Sequence, residues 1–453
     1  MTVTELHDGL GPVIAATLFD LAPLGYSQTE YVLDGTAAAY RRRRDHLEVV
    51  EHAEYATRLL VFEPTDAARF NGTVWVEWLN VSGGLDAAPD WNFTHTELMR
   101  QGAAWVGVSA QRIGVAGGES VFGDMSSPGL VGTSPERYAG LNHPGDRFSY
   151  DMFTQAGQAV RASLGSLVDA RIERVFAIGE SQSAFRLTTY VNEVDPLAQV
   201  FDGFFVHARG GPGAPLDDES PAISFDDPPV LFREDLRVPV MCVEAETDLA
   251  VLGYGSARQP DNEQFVLWEM AGTSHADAYT FYGGMVDTGV LPIEELAAAW
   301  APQREYFGMT LDKPVNAGPQ HYVLNAAVAR FDQWLRDGTR PTAADRLSVR
   351  ARSDPMEFER DEHGIALGGV RTPHVDVPVA VLSGLGNGGA PMAHLCGITT
   401  PFTPEQLAAL YPSRTEYLDR FAEATERTVA AGHLLAADAP EINALAAALC
   451  PLR

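Results

Sequence analysis

A short apolar run from Arg174 to Ile178 leads into Gly179-Glu180-Ser181-Gln182-Ser183, and a helical pattern follows at once. That order of elements can make a serine nucleophilic. On a tight turn between strand and helix the hydroxyl stands exposed, and the helix N-terminus turns free N–H groups toward developing negative charge. Residues two positions away must be small because the two backbones crowd there. Gly179 and Ser183 satisfy this, with serine standing where a second glycine is usual. A Gly-x-Ser-x-small pattern arises easily by chance; the strand before it and the helix after it give it weight.

A serine hydroxyl is a weak nucleophile until a base takes its proton, and imidazole titrates near neutrality. The imidazole needs a carboxylate to fix its tautomer and stabilise its protonated form. Downstream, Val238–Asp248 reads as a buried strand ending in acidic residues. Phe265–Asp277 reads as another strand, followed by a Gly-Thr-Ser turn and His275. The spacing predicts Ser181 as nucleophile, Asp248 as acid and His275 as general base, in that chain order. Asp248 falls just past its strand, ahead of Leu249-Ala250-Val251, and Glu246 is the alternative acid. An oxyanion would need two backbone donors. One is expected from Gln182, and the other from Asn80 or Val81, in a loop that Gly83 and Gly84 let lie close to a substrate.

The elements around these residues predict an α/β fold, a mostly parallel sheet flanked by helices. Strands are expected at Ala56–Phe62, Thr73–Leu79, Ala104–Ser109, Arg174–Ile178, Phe201–His207, Val238–Val243 and Phe265–Met270. Helices are expected at Asn92–Gln101, Tyr150–Ser166, Gln182–Glu193 and Tyr322–Leu335, the last closed by Gly338. Ala208–Phe232 and Ala276–Gln320 read as insertions, of which one or both would form a lid. Residues 1–340 would make the catalytic core and 341–453 an extension packed on it, with helices near Pro404–Tyr411 and Arg414–Ala431. SGLGNGG, Ser383–Gly389, follows a strand like a dinucleotide loop. Pro391 comes soon after it and no helix begins there, so it reads as a plain loop.

Composition narrows the chemistry. The net charge of −29, from 32 basic and 61 acidic residues, disfavours nucleic acid and anionic membrane surfaces as partners. Lys313, before Pro314, is the only lysine, which argues against Schiff-base and P-loop chemistry. No His-Glu-x-x-His or Cys-x-x-Cys occurs, so no metal and no cofactor is expected. Cys242, Cys396 and Cys450 are too scattered for a disulfide framework; a Cys396–Cys450 bridge is the alternative to reduced thiols. With no basic leader and no apolar run of eighteen residues, a cytoplasmic enzyme is expected.

The sequence also resembles the alpha/beta hydrolase domain-containing proteins, an esterase-like group. The resemblance runs from GYSQTEYVLDGTAAAY through VEWLNVSGG, SYDMFTQAGQAVR, GESQSA, EAETD and GTSHAD to GGVRTPHVDVPVA and AAGHLLAADA. It implies the α/β-hydrolase fold and a Ser-Asp-His triad acting on a small-molecule ester through an acyl-enzyme. An acyltransferase or lactonase would use the same triad, and a non-catalytic binding protein could keep the same fold.

Overall fold

The computed structural model describes residues 1–453 apart from 8, 10, 14–15, 45, 122, 163–170, 218–226, 307, 352, 354 and 453, and of 123–125 the backbone alone. Positions 163–166 of the expected helix, and the middle of the first insertion, lie outside the described residues. Contacts divide the chain into two compact units. One comprises Met1–Met241 with Asn262–Phe265, the other Cys242–Asp261 with Val266–Arg453. The tail from 341 onward thus shares a unit with Asp248 and His275.

In the first unit the strands are β1 (Thr2–Leu6), β2 (Tyr26–Arg43), β3 (His46–Pro64), β4 (Thr73–Trp78) and β5 (Ala104–Val108). After a small hairpin of β6 (Gly118–Ser120) and β7 (Gly123–Ser127) come β8 (Arg174–Glu180) and β9 (Gly203–His207). β4 pairs in parallel with β5 on one side and with β8 on the other, and β8 pairs in parallel with β9. Every residue of β4, β5 and β9 is buried, as expected of strands covered on both faces. The 13-residue helix Pro89–Gln101 opens with proline and closes on Gly102 in the left-handed region.

Beyond β5 the sheet becomes antiparallel, through β3, β2 and β1. β2 and β3 form a long hairpin of which the sequence reading recognised only Ala56–Phe62. Its distal part, His46–Glu54, is almost wholly exposed and has no apolar face to read. Its proximal part is anchored by a buried ionic cluster. Arg58 lies 3.1 Å from Glu30 and 2.7 Å from Asp86, all fully buried, and Arg137 and Tyr138 close on the other oxygen of Glu30. Removing one member of such a set strands the opposite charges out of water. Arg58→Ala is therefore expected to lower unfolding free energy by about 3–5 kcal/mol, read as a drop in denaturant midpoint. A midpoint equal to wild type would mean that the two carboxylates reach water by another route.

In the second unit β10 (Val240–Ala245) and β11 (Phe265–Met270) are neighbouring strands, each with its first residues in the first unit. Two small hairpins follow: β12 (Glu305–Tyr306) with β13 (Met309–Thr310), and β14 (Ala380–Ser383) with β15 (Ile398–Pro401). The tail is laced onto the end of β11: Val370 N–H donates to Glu269 O, Ala271 N–H to Val370 O, and Leu347 N–H to the Glu269 carboxylate. The helix Gln320–Asp337 ends on Gly338 at φ +81°, as expected. Cys242, Cys396 and Cys450 are free thiols. Among the described residues no helix is long and apolar enough to cross a membrane.

Candidate active site

The chain leaves β8 at Glu180, turns at Ser181 and enters the helix Gln182–Thr189. Ser181 sits at φ 55°, ψ −119°, one of the few non-glycine residues at positive φ. A non-glycine residue held there costs on the order of 1–3 kcal/mol, so the surrounding structure must over-determine it. Ser181 N–H donates to His207 O on β9 (3.0 Å), and Phe185 N–H donates to Ser181 O (3.1 Å). A Cβ on Gly179 would lie 3.0 Å from Leu187 and 3.1 Å from the Cβ of Ser183. A side chain at 179 would therefore have to push Leu187 or Ser183 aside.

The loop after β4 reaches the same turn. Asn80 Nδ2 donates to the backbone O (3.2 Å) and the carboxylate (3.1 Å) of Glu180, and Val81 N–H donates to the side-chain Oε1 of Gln182 (3.2 Å). The N–H of Asn80 is engaged with Ala87 O at 2.9 Å. Of the two residues expected to supply a second donor, Val81 directs its N–H at the Gln182 side chain, and Asn80 directs its N–H at Ala87.

Beneath the elbow lies a buried polar set that the sequence reading missed. His207 Nδ1 is 2.9 Å from Asp90 Oδ1. Glu77, on β4, accepts the N–H groups of Asp90 and Trp91 and the indole N–H of Trp105. Burial pushes the carboxyls of Glu77 and Asp90 well above the usual range, with Asp90 adding to the effect on Glu77. The signal was an acidic residue inside an otherwise apolar strand, Val76-Glu77-Trp78. Such a residue needs partners, and here they are the first turn of the helix that follows the Asn80–Val81 loop.

The acid and the histidine come together in the second unit. β10 runs into a five-residue helix, Glu246–Ala250, whose third residue is Asp248. Asp248 Oδ2 accepts the N–H of Ala245 (2.6 Å), and its Oδ1 is 2.6 Å from His275 Nδ1. Asp248 is fully buried and His275 is 6% exposed. Nδ1 is thus committed to the carboxylate.

Glu246 is occupied otherwise. Its Oε1 accepts Gly272 N–H (2.8 Å), while Oε2 accepts Gly384 N–H (3.1 Å), Ser383 Oγ (3.2 Å) and Arg360 (3.3 Å). Burial raises its pKa, and Arg360 and these backbone donors pull the other way.

The chain belongs to the alpha/beta hydrolase domain family, whose model matches residues 3–444. No curated protein matches the sequence. Among solved structures it is similar to a Pyrococcus furiosus esterase (9% identity, 58% of this chain and 89% of that one, TM-score 0.32). A serine hydrolase without a lid from Xanthomonas campestris matches at 11% identity over 54% of this chain and 85% of that one, with TM-score 0.30. One of two fungal esterases from Rhizomucor miehei matches at 13% identity over 53% and 74%, with TM-score 0.27.

Proposed function

We propose that the protein is a serine esterase that cleaves carboxylic esters through an acyl-enzyme. Ser181 Oγ attacks the carbonyl carbon while His275 Nε2 takes the hydroxyl proton. The tetrahedral oxyanion is received by the N–H groups of Gln182 and Val81. Its collapse breaks the ester C–O bond, and His275 returns the proton to the departing alcohol. Water, deprotonated by His275, then attacks the acyl carbon and frees Ser181. Asp248 holds the ring and balances its transient charge.

The observation that carries this reading is the backbone of Ser181. A residue held at φ 55° between strand and helix is strained, and strain of this kind collects at functional sites. The 2.6 Å Asp248–His275 contact supports it independently, since both residues fall just past strands later in the chain than Ser181, where the order serine, acid, histidine calls for them. The experiment is a panel of simple esters, read for turnover with wild type and Ser181→Ala. An acyltransferase or lactonase would keep the same triad and show itself as product transferred to an added alcohol or as ring opening.

Substrate charge is a separate expectation. The net charge of −29 should repel anionic esters, so neutral esters are expected to be the better substrates. Two arginines that could oppose this are committed elsewhere. Arg209 donates to Gly210 O, Gly211 O and Val230 O, and Arg371 donates to Asp376 and Ala366 O. Arg112 is exposed. Measuring kcat/KM for a matched neutral and carboxylate-bearing ester pair at low and high salt tests the idea. Salt should narrow the gap by helping the anionic member, because the Debye length falls from about 30 Å at 0.01 M to about 10 Å at 0.1 M. An anionic ester preferred at low salt would mean that a local cation outweighs the global field.

A further inference from the structure

Glu246 ends up with neither the nucleophile's histidine nor a place in the triad, yet it is fully buried and has acceptor contacts on both oxygens. Its partners are informative. Gly272 opens the turn that leads to His275, and Gly384 directly follows the strand β14 in the tail. The same tail segment touches the two catalytic turns again. Thr247 Oγ1 donates to Gly384 O (2.6 Å), beside Asp248. Asn316 Nδ2 bridges Gly272 O (3.0 Å) and Ser383 O (3.1 Å), and the N–H of Ala278 donates back to Asn316 O. On the far side of His275, Ser274 Oγ donates to Cys396 O (3.2 Å) and Ala276 N–H to Leu395 O (3.0 Å).

The approach is too close for any side chain at 384. A Cβ there would stand 2.4 Å from Thr273 O, 2.6 Å from Glu246 Cβ and 2.9 Å from Thr247 N. At 397 it would stand 2.7 Å from Ser274 Cβ, and Gly397 has φ +55° besides. Gly384 and Gly397 thus serve backbone contact with the acid and histidine turns.

We propose that Glu246, with Ser383 and Gly384 of the tail, is a clamp that sets the distance between the Asp248 turn and the His275 turn, and so positions the imidazole for catalysis. The role assigned to His275 rests on the esterase reading above; the clamp itself does not. Glu246 is a positioning residue, acting through Gly272 and the Glu246–Asp248 helix. Glutamine at 246 keeps the volume and one acceptor. It turns an amide N–H₂ toward one of the two backbone donors, so either Gly272 or Gly384 loses its partner. Small displacements of a catalytic group are costly; about 1 Å can remove on the order of a hundredfold in rate.

The test uses full-length protein with Glu246→Gln and Ser383→Ala, each checked for a wild-type fold by circular dichroism. Two readouts are taken: steady-state kcat and KM on an ester that wild type turns over, and the far-downfield proton resonance of His275 Nδ1–H against Asp248. Glu246→Gln is expected to lower kcat by about tenfold to a hundredfold with KM nearly unchanged, and to move or broaden the resonance. Ser383→Ala, which deletes one donor to Glu246 and the acceptor of Leu385 N–H and Arg360, should move both in the same direction by less. A folded Glu246→Gln protein with wild-type kcat and an unmoved resonance would overturn the clamp. If wild type turns over no ester but the resonance still responds to Glu246→Gln, the clamp stands and the esterase reading falls.

Discussion

Ser181→Ala should abolish ester turnover, with kcat falling on the order of 10⁴-fold or more, and should remove labelling by a fluorophosphonate probe. The size follows from the way a triad works. Without the hydroxyl there is no acyl-enzyme, and the remaining imidazole and backbone donors recover only the part of catalysis that comes from binding and oxyanion stabilisation. Labelling is read by intact mass: one adduct on wild type and none on the variant. An adduct that persists unchanged in Ser181→Ala would place the nucleophile elsewhere and sink the assignment.

Much of this site was visible in the sequence because each part carries its own local signature. Val175–Ile178 is apolar, Gly179 and Ser183 are small, and the helix after them is amphipathic; the structure runs β8 through Glu180 and the helix from Gln182 to Thr189, then loosens into a wider turn at Tyr190–Val194. The expected helix to Glu193 missed that change, which no side-chain pattern marks. Asp248 and His275 were legible as strand-end residues, and the structure brings them to 2.6 Å.

What stayed hidden is long-range or made of backbone. Glu246 could compete with Asp248 on paper because its occupant, Gly384, lies 138 residues away in the chain. Ser383–Gly389 read as an idle loop because its contribution comes from an N–H, a C=O and the absence of a Cβ. Asn80 and Val81 were inseparable until the partner of each N–H was known. The β2–β3 hairpin failed for another reason: its β3 arm at His46–Glu54 is almost wholly exposed, so alternation there has nothing to report.

Asp248→Asn is expected to lower kcat about 10⁴-fold, while Glu246→Gln costs far less. The difference lies in what each carboxylate accepts. Asp248 takes a hydrogen bond from His275 Nδ1, and that bond keeps the Nδ1–H tautomer, leaving Nε2 unprotonated to receive the serine proton. Asparagine can present its N–H₂ to the ring instead. Its carbonyl is already wanted by Ala245 N–H, which Asp248 Oδ2 satisfies at 2.6 Å, so the amide is steered to place its nitrogen on the histidine side. The ring must then accept at Nδ1 and carry its proton on Nε2, where it cannot act as base. The lost negative charge also removes stabilisation of the imidazolium. At Glu246 the donors are backbone N–H groups, Ser383 and Arg360, so glutamine disturbs position and leaves the histidine tautomer alone. The two variants are compared at a pH where the wild-type rate is flat, with KM determined for each. If Glu246→Gln proves the more damaging, Glu246 is the acting acid and the Asp248–His275 contact is a resting arrangement that catalysis does not use.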